Sequence, residues 1–565
     1  MTTREKPDYK NELFNIAAYL PYMAEIMPHK RAVVFPAGRD AAGRVTYSHL
    51  TFQQMNDECD RYADGLSKYG MGKGTKTLLM VKPSLEFITL TFALFKIGAV
   101  PILIDPGMGP MNMLKCISQV EPEAVIGIPV AQAVRAIFRW HFRKVKFNVT
   151  VGKRIFWGGL TLDKIREKGS VNYKMCETRG SDPAAILFTS GSTGPAKGVL
   201  YEHKMFGAQV SLLNEAYKFN ENEMELPAFP LFALFNVALG ITCVIPDMDP
   251  TKPASVKPEN IVEGVFNQGI TNTFGSPAIW NRVSNYCSSK NIKLNSIKRI
   301  LIAGAPVSGE LVGRVKKMLG ENGDVHTPYG ATESLPLCSI SGNEICGETW
   351  PKTQKGEGIC VGKPIKGIEA RIIKITDEPL PRWEDALLKR TGEIGEIVVS
   401  GPVVTKEYYN NARATALSKI YDGSRTWHRM GDVGYLDDRG RLWFCGRKDH
   451  RVVSGEKIYF TIKCEAIFNN HPEVFRSALV GCGEKLYQQP VIVIELKDAG
   501  ILKDENRVEK IKVELEKMGK DSELTKDIEK ILFIEKMPVD IRHNAKIFRE
   551  KLSVWAEGLI RKGRA

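Results

Sequence analysis

The sequence predicts an α/β protein: layered α/β units early in the chain, antiparallel strands from about Gly356, and a small α+β unit at the end. Three observations predict it. Helical and strand-like patterns alternate through the early half, as in parallel sheets covered by helices. GEGICVGKPIKGIEARIIKI and TGEIGEIVVSG are short, β-branched and punctuated by glycine, which suits antiparallel strands. The tail beyond Thr461 returns to a mixture of helix and strand. A chain of 565 residues holds about three to four domain-sized units.

Taken in order, TFQQMNDECDRYADGLSKYG reads as an amphipathic helix closed by Gly70. KTLLMVKP reads as a buried strand. Phe87 to Ile104 is apolar enough to be weighed as a membrane span, but Lys96, Gly98 and Pro101 interrupt it. A buried helix ending near Gly98, followed by a short strand, is the better reading. EAVIGIP is a further strand, and KRILIAGAP (Lys298–Pro306) is a strand running into a glycine turn. RLWFCGRKDHRVV continues the antiparallel style. In the tail, CEAIFNNHPEV reads as helix, SALVG and QPVIVIEL as strands, and a charged helical run follows. The plausible boundary is the loop around Gly446–His450, giving domains 1–448 and 449–565.

Composition excludes several classes. Hydrophobic residues make up 43% and charged residues 25%, which rules out a disordered chain or a fibre. The formal charge of +14 is compatible with anionic partners without choosing among them. The eleven cysteines form no CxxC and no zinc-ligand spacing, and the first residues show no apolar leader. Reduced thiols and a cytoplasmic location are therefore expected. A basic run, Arg135–Arg154, has seven Lys/Arg and no acid. Arg135, Arg139 and Arg143 fall at helical spacing and would line one face, either a solvated face or a docking patch for a membrane surface or partner.

The most informative segment is ILFTSGSTGPAKGVLYEH. An apolar strand leads into Thr189, Ser190, Gly191, Ser192, Thr193 and Gly194. Glycines let the backbone approach a phosphate, and N–H groups and hydroxyls donate to its oxygens. Lys197 adds positive charge. The spacing is not that of a Walker A loop.

T-S-G-S-T-G-x-x-K-G resembles the signature loop of the adenylate-forming superfamily, which includes acyl-CoA synthetases, luciferases and adenylation domains. The other motifs follow in the family's order, from about Lys30 to Ala556. The resemblance implies that fold: layered α/β subdomains plus a β-barrel-like subdomain, then a small mobile domain. It implies ATP and Mg²⁺ as cofactors. Tyr329-Gly330-Ala331-Thr332-Glu333 matches YGxTE, with Tyr329 stacking on adenine, Thr332 on phosphate and Glu333 on Mg²⁺. Gly304, Ala305 and Pro306 would lie along the adenine. Asp432, in HRMGDVGY, would accept from the ribose hydroxyls. Gly446-Arg447-Lys448-Asp449 resembles the GRxD hinge, with Arg447 on ribose or phosphate and Asp449 the pivot. Lys546, after Asn544-Ala545 where relatives usually have glycine, would stabilise charge as carboxylate attacks phosphorus.

Within the superfamily, FPLFALFNVALGITCVIPDMDPTKPA, HTPYGATESLP, CEAIFNNHPEV and PVDIRHNAKIFREKLSVWA resemble the β-lactone synthetases of bacterial olefin biosynthesis. That resemblance implies a long-chain 2-alkyl-3-hydroxy acid as substrate. It leaves contact with other olefin-pathway enzymes or a membrane surface open, and implies no nucleic-acid partner. Ala233 replaces a His common in relatives, so gating of the acyl tunnel would differ. Leu226–Val244 reads equally as tunnel lining or as core. His203 and His326 are the candidate bases for the 3-hydroxyl, each equally readable as packed or surface. A fatty acyl-CoA or acyl-carrier-protein synthetase remains open. The stretch Tyr459–Glu465 lacks the proline that many ligases carry there, but Ser454-Gly455 is retained. A nucleotide-binding scaffold without turnover is the third reading.

Overall fold

The computed structural model describes residues 4–189, 196–540 and 547–563. Two large sheets dominate. The first has seven strands, ordered Leu160–Thr161, Phe147–Thr150, Ala124–Gly127, Lys76–Met80, Val100–Ile104, Pro183–Thr189 and Lys197–Glu202. All neighbours are parallel except the last pair. The central strands Lys76–Met80, Val100–Ile104 and Ala124–Gly127 are mostly buried, as expected of a parallel sheet covered by helices. Helix Phe52–Lys68 starts on a Thr51–Gln54 capping box and passes into Gly70 at φ +103°. Helix Leu85–Lys96 is buried on nearly every side, which explains its mostly apolar sequence; the Thr89 and Thr91 hydroxyls bond back to helix carbonyls and Lys96 pairs with Asp60. Among the described residues no helix is long and apolar enough to cross a membrane.

The second sheet joins both pairing modes. From one edge it runs through Glu369–Ile373, Gly395–Ser400, Arg425–Leu436, Leu442–Arg447, Ile359–Pro364, Ser334–Ser341 and Asp324–Ala331, all antiparallel. It continues in parallel through Arg299–Ile302, Asn272–Gly275, Met224–Pro227, Thr242–Val244 and Arg31–Arg39, and ends on the antiparallel Val45–Thr51. Asp324–Ala331 is thus the seam: its parallel neighbour lies on one side and its antiparallel neighbour on the other. The expected strand classes hold on both sides of it.

Beyond the loop at Gly446–His450, the strands Val474–Cys482, Gln489–Leu496 and Lys530–Ile534 form a third sheet. Helices Thr461–Phe468 and Glu505–Lys520 bury Cys464, Phe468, Ile511 and Leu515 in a core made wholly of residues from 452 onward. Helix Arg549–Arg561 packs Leu552 and Ala556 against Ala478, Val480 and Val491. All eleven cysteines are free thiols.

One expectation fails. Arg135, Arg139 and Arg143 do not line one helical face. Helix Pro129–Ile137 ends at Phe138 (φ −98°, ψ 48°), and a single 3₁₀ turn, Arg139–Phe142, follows. The chain turns there because Phe142 is pulled into the core with Leu114, Ile117 and Val120.

Candidate functional site

The seam gathers the motif residues. Strand Arg299–Ile302 ends in Gly304-Ala305-Pro306, and the neighbouring strand supplies Thr327, Tyr329 and Gly330. Across the antiparallel side stand Asp432, Phe444 and Arg447. Together they line a cavity of about 220 Å³. Gly304 has φ +92°, a conformation glycine adopts without strain. A Cβ on Gly431 would sit 3.2 Å from the Arg447 guanidinium, so glycine there lets the two strands close on the pair.

Asp432 and Arg447 face each other in register on adjacent strands. Arg447 Nη1 donates to Asp432 Oδ1 at 2.6 Å, and the Tyr329 hydroxyl donates to Oδ2 at 2.6 Å. Burial raises the Asp432 carboxyl above its ordinary range, with Arg447 and the Tyr329 hydroxyl pulling it back. Burial, reinforced by Asp432, pushes the Tyr329 phenol well up, so it stays a protonated donor. Arg447 Nε is buried and has no hydrogen-bond partner among the described residues. A cavity with an aromatic wall, a carboxylate and an unused guanidinium N–H fits a nucleoside phosphate.

The turn carrying Thr332 and Glu333 is held by residues that the sequence reading missed. Tyr201 Oη donates to the Thr332 carbonyl. Thr405 donates to the Glu333 carbonyl through its backbone N–H (2.9 Å) and its hydroxyl (3.1 Å). The Tyr408 hydroxyl donates to Glu333 Oε1 at 2.6 Å, and burial with Glu333 beside it raises that phenol. Lys197 Nζ lies 5.0 Å above the Tyr408 ring, so the lysine after the phosphate loop and Glu333 share one neighbour. Buried beneath Thr405, Lys419 donates to its carbonyl and hydroxyl. Burial pushes the Lys419 amine down to about 7. None of these four residues has a motif of its own. Tyr408 and Thr405 lie in PVVTKEYYN, where a pattern of apolar residues and tyrosines signals only β structure.

Thr189 ends the strand that leads into the loop. Ser190, Gly191, Ser192, Thr193, Gly194 and Lys546 lie outside the described residues. Asp449 lies in the single turn Lys448–His450 directly after Arg447. His203 is fully buried, and its Nδ1 accepts from Ile16 N–H. Its ring packs edge-on against Phe95, and burial pushes it down to about 4. His326 packs edge-on against Tyr217 and is lowered by burial. Neither lines the cavity. Most of Leu226–Val244 is core: Leu226, Ala233, Leu234, Val237 and Ala238 are buried. Phe232 stacks on Phe274 at 4.0 Å, while Phe229 is half exposed.

The sequence profile of the AMP-binding enzyme family matches residues 23–409. The chain belongs to the AMP-binding enzyme family. This family member is 43% identical to the olefin β-lactone synthetase of Xanthomonas campestris pv. campestris, over 96% of this chain and 98% of that one. It is 42% identical to the olefin β-lactone synthetase of Stenotrophomonas maltophilia, over 98% of this chain and all of that one. Its fold matches an O-succinylbenzoate coenzyme A synthetase from Bacillus subtilis solved with ATP and magnesium ion. The TM-score is 0.72 at 20% identity, covering 94% of this chain and 98% of that one. The adenylate-forming fold class is thereby borne out.

Proposed function

We propose that the chain is an ATP-dependent, AMP-forming β-lactone synthetase acting on long-chain 2-alkyl-3-hydroxy acids. The observation that carries this reading is the identity above 40% along nearly the whole chain to two olefin β-lactone synthetases, joined to a cavity suited to a nucleotide. ATP is the activating co-substrate. A carboxylate oxygen of the acid bonds to the α-phosphorus, and pyrophosphate leaves. The oxygen of the acid's own 3-hydroxyl then bonds to the carbonyl carbon, its proton departs to a base, and AMP leaves with the carboxylate oxygen. Because nucleophile and electrophile belong to one molecule, proximity supplies much of the acceleration and no thiol acceptor is required.

In this reading Tyr329 and Gly304–Pro306 flank the adenine. Asp432 accepts from the ribose diol and Arg447 donates to ribose or phosphate. Residues Thr189–Gly194 and Lys197 wrap the phosphates. Glu333 is a single carboxylate, pre-aimed by Tyr408, and suits Mg²⁺ whose other ligands are phosphate and water oxygens. Thr332 contacts phosphate and Lys546 stabilises the charge that builds at phosphorus. Residues 1–448 bind nucleotide and acid; residues 449–565 form the small domain that presents Lys546 and pivots near Asp449.

The test is a product assay by NMR or mass spectrometry with ATP, Mg²⁺ and a synthetic 2-alkyl-3-hydroxy acid, with and without CoA. Lactone plus AMP without CoA is expected. A thioester formed only with CoA would move the chain to the ligases. ATP–pyrophosphate exchange at the wild-type rate in Lys546→Ala would remove that lysine from the assignment.

A further inference from the structure

Between the strands Ala124–Gly127 and Leu160–Thr161 the chain presents a surface that the reaction does not use. Helix Pro129–Ile137 has one charged residue in nine, Arg135. Val130 and Ile137, seven residues apart and so on one side of the helix, are each 70% exposed. Trp140 in the following turn is 77% exposed and Phe138 41%. The loop after strand Phe147–Thr150 adds Ile155 and Phe156, both exposed. Single exposed apolar side chains are ordinary, but six large ones within one short stretch of chain are not.

The charges around them are of one sign. No Asp or Glu occurs from Ala124 to Leu162, while seven Lys/Arg lie between Arg135 and Arg154. Lys144 pairs with Glu121; among the described residues no other cation of the run forms an ion pair. The Arg143 guanidinium lies 5.2 Å from the Trp140 ring. The inward turn of Phe142 fixes this display, because burying Phe142 leaves Trp140 outside. Unpaired cations beside an exposed indole and aliphatic tips complement an interface that is anionic outside and apolar beneath.

We propose that this segment binds the surface of an anionic phospholipid bilayer, with Ile137, Phe138 and Trp140 entering the headgroup–acyl boundary and Arg139, Arg143 and Lys146 meeting lipid phosphates. The surface lies outside the nucleotide cavity, so the inference stands whether or not the lactone reading holds. If both hold, it brings the protein to the phase in which long-chain acids concentrate.

The experiment is flotation of the full chain with vesicles of phosphatidylcholine alone and of phosphatidylcholine mixed with phosphatidylglycerol, whose anionic headgroups attract Lys and Arg near the surface. Binding to the anionic vesicles, falling with added salt and weak on neutral ones, is expected. Ile137→Ser/Phe138→Ser/Trp140→Ala should lower partitioning at least about 10-fold, and Arg139→Gln/Arg143→Gln/Lys146→Gln roughly 10- to 100-fold. All six side chains are surface residues, and thermal melting checks that the variants are folded. No binding to anionic vesicles overturns the proposal, as does binding that both variants leave unchanged. So does an effect of the variants only on association with another protein.

Discussion

Two arginine–carboxylate pairs meet on the strand Arg425–Leu436, three residues apart, and they differ in burial and in how fully the arginine is bonded. Arg429 and Glu396 are each about 1% exposed, and the Arg429 guanidinium is saturated. It forks onto both Glu396 oxygens and donates to the carbonyls of Thr376, Glu378 and Leu417. Lys448 adds a second cation to Glu396 at 3.2 Å. Arg447 and Asp432 share only one short bond, and Arg447 Nε has no partner among the described residues. The first pair fastens the antiparallel arm. The second is incomplete, and its arginine lines the cavity. The two pairs are separated by burial and by saturation together: Arg447 is 33% exposed where Arg429 is 1% exposed and fully bonded.

The largest expected effect falls on the saturated pair. Glu396→Ala strands two cations and should cost about 3–5 kcal/mol of stability, read by chemical denaturation. Arg447→Ala should instead cost roughly 10²- to 10³-fold in ATP–pyrophosphate exchange with a smaller loss of stability. Equal losses of stability in the two variants would break the comparison. Tyr329→Phe removes a hydrogen bond to a charged group and should cost about 1.5 kcal/mol, measured the same way.

A further effect concerns a third buried cation and is spread over a range of pH. Among the described residues Lys419 has only neutral Thr405 oxygens as hydrogen-bond partners, and burial pushes its amine down to about 7 in the fold against roughly 10.4 in an unfolded chain. Between those values the unfolded state binds the extra proton, so stability rises with pH through that window. The penalty is present in full below about 7. Lys419→Met should flatten this slope, which is at most about 1.4 kcal/mol per pH unit. Melting temperature against pH from 6 to 10 reads it, and an unchanged slope would mean that Lys419 does not titrate there.

Much of this site could be read from sequence because its motifs resemble those of the adenylate-forming family and keep their order. Taken singly, Gly304-Ala305-Pro306 is only a turn signal and YGATE a weak one, yet Gly304, Tyr329, Asp432 and Arg447 do converge. Tyr201, Thr405, Tyr408 and Lys419 could not be read so. Three of them act on backbone carbonyls, and which carbonyl they meet is fixed only when strands distant in sequence come together. The two histidines, readable either as bases or as packed residues, pack: His203 is buried against Phe95 and the half-buried His326 lies edge-on to Tyr217. The arginine face does not form because the helix stops at Phe138 and burial of Phe142 turns the chain before Arg143.

The long antiparallel strand has a practical consequence. Its hairpin with Lys419–Asp422 turns at Gly423, with Asp422 and Arg425 exposed, seven residues or about 23 Å along the strand from Asp432. Extra residues placed at that tip would lengthen a solvent-side bend and leave the register at Asp432 untouched. The tip is therefore a suitable place for a fluorophore or an affinity tether, letting the protein be immobilised while its nucleotide cavity stays open.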